Sequence, residues 1–159
     1  MIIVAIVVTL AGIAWYALSP LFMNKHVNDA LPIVEMSEQE ETEVSPIAAN
    51  REPSISAPIT VIPTTAHPAS GQVRIVQNGE RAVIRYENYK TINGPDVRVY
   101  LADDLKATNF VDLGPIKGTE GNINYEVPAG VDVSKYRYVL TWCEDFAVLF
   151  NSADIASIR

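Results

Sequence analysis

The chain of 159 residues has one cysteine, two histidines and, beyond residue 36, no methionine. A single cysteine cannot close an internal disulfide. There is no Cys-x-x-Cys for a redox couple or a zinc ribbon, and no Cys-x-x-Cys-His for covalent haem attachment. A mononuclear blue-copper centre needs two histidines and a cysteine. After residue 66 the chain offers one of each, His67 and Cys143, which excludes a cupredoxin, and a zinc site of the usual kind fails on the same count.

Hydrolytic and nucleotide chemistry are short of parts as well. His67 lies between Ala66 and Pro68, with no Ser/His/Asp set in view. Gly114-Pro115-Ile116-Lys117-Gly118-Thr119-Glu120-Gly121 is glycine-rich, but a phosphate loop ends in Gly-Lys-Ser/Thr entering a helix. Here the lysine precedes the glycine, so the stretch reads as a β-turn loop. Residues 67–159 carry ten basic against twelve acidic side chains, so no nucleic-acid footprint is present.

What the chain does hold is divided along its length. Residues 2–23 carry no charged side chain, and about 20 apolar residues suffice to cross a bilayer core as a helix. This predicts a transmembrane anchor over 1–23, with Trp15 and Tyr16 at the interface and the membrane as the partner it reaches. The competing reading, a cleaved signal peptide, calls for a basic n-region and a small-residue cleavage site. No Lys or Arg precedes the run, and the best such site, Ala17-Leu18-Ser19, runs into Pro20. Lys25 on the far side of the run leans against an exported domain, because basic residues favour the cytoplasm.

Residues 24–66 hold seven acidic and two basic side chains, with Pro32, Pro46, Pro53, Pro58 and Pro63 spread among them. Glu35, Glu38, Glu40, Glu41 and Glu43 repel one another, and such a composition buries too little apolar surface to offset the entropy of ordering. The expectation is a disordered, extended linker that holds the following domain away from the bilayer.

From 67 to 159 the pattern is strand and turn. Residues 71–77 and 81–88 flank Asn78-Gly79, a strong hairpin signal. Further short runs at 97–101, 123–127, 136–142 and 146–150 follow, with 152–158 as a candidate edge strand and 131–135 or 103–108 as helical turns. The fold class expected is all-β, an antiparallel sandwich or barrel. On the run 138–143, Tyr138, Leu140 and Trp142 share one face while Val139, Thr141 and Cys143 share the other. Both faces are apolar, which predicts a central strand with Cys143 at the lip of its sheet. Such a cysteine is either a small buried hydrophobe or the one soft, redox-capable atom of the domain. Glu144 and Asp145 beside it disfavour a bare thiolate, and favour a cysteine whose charge a metal or haem iron compensates. His67, just before a proline, suits a residue that orders the first turn, and Asp96 in Asn93-Gly94-Pro95-Asp96 suits a turn former.

The ordered set His67-Pro68-Ala69-Ser70-Gly71, Val73-Arg74-Ile75-Val76, Arg85-Tyr86-Glu87-Asn88-Tyr89, Asn93-Gly94-Pro95-Asp96-Val97, Leu113-Gly114-Pro115-Ile116-Lys117-Gly118, Tyr125-Glu126-Val127-Pro128 and Trp142-Cys143 with Phe146-Ala147-Val148-Leu149-Phe150 resembles the DM-thirteen domain. The resemblance covers roughly residues 67–155. It implies an extracytoplasmic all-β domain in an electron-transfer setting, single-pass and membrane-anchored here, with a redox or surface protein as its partner. It implies Cys143 as a redox thiol or ligand, with Trp142 and His67 beside a cofactor site and haem as the cofactor it allows. The alternative is a non-catalytic surface module whose motifs encode only the sandwich and a binding face.

Overall fold

A computed structural model describes residues 2–18, 24–32 and 53–158. The uncharged N-terminal run forms a helix, α1, over Ile2–Leu18. Its 17 residues extend about 26 Å at 1.5 Å per residue, against a hydrocarbon core of about 30 Å. Among the described residues no helix is long and apolar enough to cross a membrane. The rest of the expected anchor, 19–23, lies outside the described residues.

The remainder is two packed sheets. The first contains β1 (His26–Asn28), β2 (Ser54–Ile55), β3 (Ile59–Thr60), β5 (Ser70–Asn78), β6 (Arg81–Lys90) and β9 (Glu120–Glu126), with β9, β6 and β5 at its centre. The second runs β4 (Ile62–Pro63), β11 (Val148–Asp154), β10 (Tyr138–Cys143), β7 (Val97–Ala102), β8 (Phe110–Pro115). Every pairing is antiparallel except that of β1 with β9. The architecture is the expected all-β sandwich, and β10 is central, lying between β7 and β11. The candidate edge strand at 152–158 resolves differently: β11 runs on to Asp154, and 155–158 close as a 3₁₀ turn.

Alternation along the strands builds the core. Val99, Leu101, Val139 and Ala153 of the second sheet meet Val73, Ile84, Tyr86, Ile123 and Tyr125 of the first. The core also buries polar groups, and each is answered. The hydroxyl of Thr141 hydrogen-bonds the phenols of Tyr86 (3.3 Å) and Tyr89 (3.0 Å) across the two sheets. Asn151 donates from Nδ2 to the Tyr89 hydroxyl (3.0 Å) and to Thr91 Oγ1 (3.3 Å). Burial pushes both phenols up and keeps them neutral. Among the described residues no buried side-chain nitrogen or oxygen lacks a partner.

The linker expected over 24–66 is corrected at both ends. Ile59 and Val61 are core residues, β2 and β3 pair with β5, and β4 pairs with β11. On the other side β1 lies along β9, with Val27 opposite Gly121. The approach is close enough that a β-carbon at Gly121 would fall 1.9 Å from the Val27 carbonyl oxygen, and one at Gly118 would fall 2.7 Å from a Val27 methyl. The acidic middle, 33–52, lies outside the described residues. The folded body therefore begins before His67 and includes the segment nearest α1.

Arg85 fastens that segment. Its side chain is 8% exposed, and it donates from Nη1 to the carbonyl oxygens of Asp29 (3.2 Å) and Ala30 (2.9 Å) and to Asn124 Oδ1 (2.8 Å). Nε donates to Glu87 (3.1 Å), whose other oxygen accepts from Arg74 (2.8 Å). Desolvation raises the Glu87 carboxyl, but the hydrogen bonds and charges of Arg74 and Arg85 outweigh it and hold the group below its usual value.

Two outcomes follow for denaturant titrations. Arg85→Met takes the donor from the Asp29 carbonyl and from Asn124 Oδ1 and leaves the Ala30 carbonyl with Asn124 Nδ2 alone, and should lower unfolding free energy by about 1–3 kcal/mol. Because the folded state holds Glu87 below its unfolded value, that stabilisation is present above a pH of about 4.3 and lost as pH falls through the folded value. Glu87→Gln should therefore be less stable than wild type by about 1 kcal/mol near neutrality, and the gap should close in acid. A gap that persists unchanged at low pH would remove the ionic account.

Candidate functional site

The site lies where β10 ends. A bulge between Thr141 and Trp142 gives β11 one extra residue, since Thr141 pairs with Asn151 but Trp142 pairs with Leu149. Phe150 is that residue. A bulge re-aims the side chain it carries, and here Phe150 packs into a small apolar cluster with Val97 and Cys143, flanked by Ile92 and Ile116. Its carbonyl accepts a hydrogen bond from Thr64 N (3.1 Å). Cys143 itself has no exposed surface and is a free thiol.

His67 closes over this cluster. Its ring stacks on Phe150 with centroids 3.9 Å apart and planes 13° from parallel. Nδ1 hydrogen-bonds the hydroxyl of Thr64 at 2.9 Å, while the His67 N–H donates to the Thr64 carbonyl (3.3 Å). His67 thus orders the turn before β5, as its position before Pro68 suggested, and also roofs Phe150. The turn 144–147 brings Phe146 to the rim, two-thirds exposed, with Ala147 at a left-handed φ of 49°.

Together these residues form a pocket of about 320 Å³ lined by His67, Ile92, Asn93, Gly94, Pro95, Phe146, Val148 and Phe150. Gly94 is needed there, because a β-carbon would fall 2.8 Å from Val97 and 3.1 Å from the Phe150 ring. Asn93-Gly94-Pro95-Asp96 is therefore one wall of the pocket as well as a turn. The pocket escaped sequence reasoning because its walls come from three separate stretches of chain, at 67, 92–95 and 146–150.

Of the three residues read as a site, two converge. His67 and Cys143 both contact Phe150. Trp142 points to the opposite face of β10, where it packs with Tyr100, Ala102 and Leu140. That outer face carries a separate polar arrangement. The hydroxyl of Tyr100 donates to Glu144, Arg98 pairs with Asp96 (3.1 Å) and with Asp112, and Phe110 stacks on Tyr100 at 4.2 Å. Desolvation, followed by the hydrogen bond to Glu144, pushes the Tyr100 phenol well up. Glu144 is thereby drawn towards Tyr100 on that outer face.

These residues do not fit a haem held by Cys143. Iron would have to reach a sulfur with no exposed surface, packed against Phe150, with His67 already stacked on that ring. Nor do the described residues contain a group of three or more His, Cys, Asp or Glu side chains able to hold a metal ion.

Fold and site together define a small two-sheet β-sandwich with one sealed thiol beneath an aromatic-lined pocket. A family model described as Electron transfer DM13 matches residues 62–155, and the chain belongs to that family. The match begins within the segment that supplies β4, in keeping with the earlier start of the folded body. Comparisons with curated proteins and with solved structures returned no match.

Cys143→Ser tests the packing directly. Volume is nearly kept, but a hydroxyl replaces a thiol among Val97, Phe150 and Ile116, and an unpartnered buried hydroxyl costs about 1–3 kcal/mol. A melting temperature lowered to match is expected from calorimetry. An unchanged one would mean that the cluster is looser than its contacts imply.

Proposed function

We propose that this chain is a membrane-anchored accessory domain of extracytoplasmic electron transfer, and that Cys143 is the group through which it acts. The observation that carries this reading is that Cys143 is the one sulfur in residues 53–158 and sits directly against the floor of the pocket. The family's electron-transfer description supports the redox part. The uncharged run of 2–23 supports the anchor.

A lone thiol outside the cytoplasm is exposed to oxidants and stray disulfides, and reactivity follows access. Burial behind Phe150 and His67 protects it, so the thiol is offered only when the 144–147 turn and the start of β11 open. With no second cysteine in the chain, disulfide exchange at Cys143 breaks the S–S bond of a partner's disulfide, joins Cys143 to one of its sulfurs and releases the other as a thiolate. A non-catalytic surface module is the second reading, and the complete burial of Cys143 is what favours it.

Reaction of the native chain with a small disulfide reagent, followed across low denaturant concentrations, separates the two. Local opening gives a rate nearly independent of denaturant, whereas exposure by global unfolding gives one that rises with the full dependence of the unfolding equilibrium. The redox reading predicts the first, with one mixed disulfide per chain and none in Cys143→Ser. Modification only through global unfolding would leave the structural module. For the anchor, the full-length chain should co-float with lipid vesicles and a chain lacking residues 1–23 should not; equal behaviour of the two would remove the anchor.

A further inference from the structure

We infer that β1 is a strap that holds the β-domain close to the membrane end of α1 rather than at the reach of a long tether. The inference rests on the anchor reading of α1 and deepens it. Leu18, the last residue of α1, and Asn24 are six residues apart, which an extended chain spans in at most about 22 Å. Docking begins immediately after. Lys25 N donates to Thr119 Oγ1 (3.0 Å), Thr119 N donates back to the Lys25 carbonyl (2.8 Å), and Asp29 N donates to the Asn122 carbonyl (2.8 Å).

Side chains lock the register that the backbone sets. Asn122 Nδ2 donates to Asn28 Oδ1 (2.7 Å), Asn124 N donates to Asp29 Oδ2 (2.9 Å), and Asn124 Nδ2 and Arg85 both reach the Ala30 carbonyl (2.8 and 2.9 Å). The edge of β9 is shaped for this strand. Gly121 lets the Val27 carbonyl approach to a distance that any β-carbon would forbid, and Val27 packs on the core. With β1 docked, the covalent stretch 33–52 is a connection from β1 to β2 within one folded body. Its length sets no distance between domain and bilayer.

The test is to place a specific protease site within 33–52 of the full-length chain, reconstitute it in vesicles of phosphatidylethanolamine and phosphatidylglycerol, cut, and float the vesicles. The strap predicts that the severed domain, 53–159, still floats with the α1 fragment, held through β1 alone. A domain released to the soluble fraction while the α1 fragment floats would overturn it. Asp29→Pro in the cut chain removes the N–H given to Asn122 and the carboxylate given to Asn124 without touching 53–159, and should convert retention to release; retention in that variant would also overturn the strap. If the uncut chain never floats, the anchor reading has failed instead. The strap then stands or falls by whether the two fragments co-elute in gel filtration.

Discussion

The buried guanidinium of Arg85 ties the segment after α1 to the centre of the first sheet. A charge removed from water must be met by partners of its own, and those partners come from three places: the carbonyls of Asp29 and Ala30, the side chain of Asn124 and the carboxylate of Glu87. Satisfying Arg85 therefore draws the segment after α1 onto the edge of β9 and fixes its register. Arg74 completes the arrangement by sharing Glu87 and by donating to the Ser56 carbonyl (3.0 Å), which fastens the segment that enters β2 and β3. One buried cation and one surface carboxylate thus organise both ends of the chain that composition assigns to a tether.

The same logic of buried groups that must be answered separates the core from the site. In the middle of the sandwich, Thr141 and Asn151 pair with Tyr86, Tyr89 and Thr91, so polarity there is fully matched and the phenols have no base to act on. Two residues further along β10, Cys143 packs into an apolar cluster with Val97 and Phe150. Thr141 belongs to a closed network and Cys143 to a cluster beside an open pocket. The bulge at Phe150 makes this division, since it seals the thiol with an aromatic ring and sets that ring as the pocket floor.

Local patterns in the sequence account for the parts held by local physics. Asn78-Gly79 marks the first hairpin, although the closing pair is Asn78 with Arg81, so the loop is Gly79-Glu80 with Gly79 at a φ of 59°, the arrangement of a II′ turn. The two apolar faces of 138–143 place β10 at the centre of its sheet, and the resemblance carried by spaced motifs agrees with the family match. Averaged composition hides the strands within 24–66. Residues 53–66 contain no charge and carry the short apolar run Ile59-Thr60-Val61-Ile62, but five glutamates at 35–43 dominate the composition of 24–66. β1 is three residues long and carries no periodicity. Its one legible sign is on the partner strand, where glycine in a strand interior marks close backbone approach, as Gly121 does. Strand alternation already sets Trp142 and Cys143 on opposite faces, and the structure keeps them there, so the family resemblance alone ties Trp142 to a site at Cys143.

Hydrogen exchange at the Asp29 amide tests the central claim most directly, because that N–H donates to the Asn122 carbonyl across the β1–β9 edge. If residues 24–32 are a strand of the folded domain, this amide exchanges slowly, and its protection falls in Arg85→Met together with that of β9. Exchange at the rate of an unstructured peptide, with β9 fully protected, would contradict the account and return the segment to a tether.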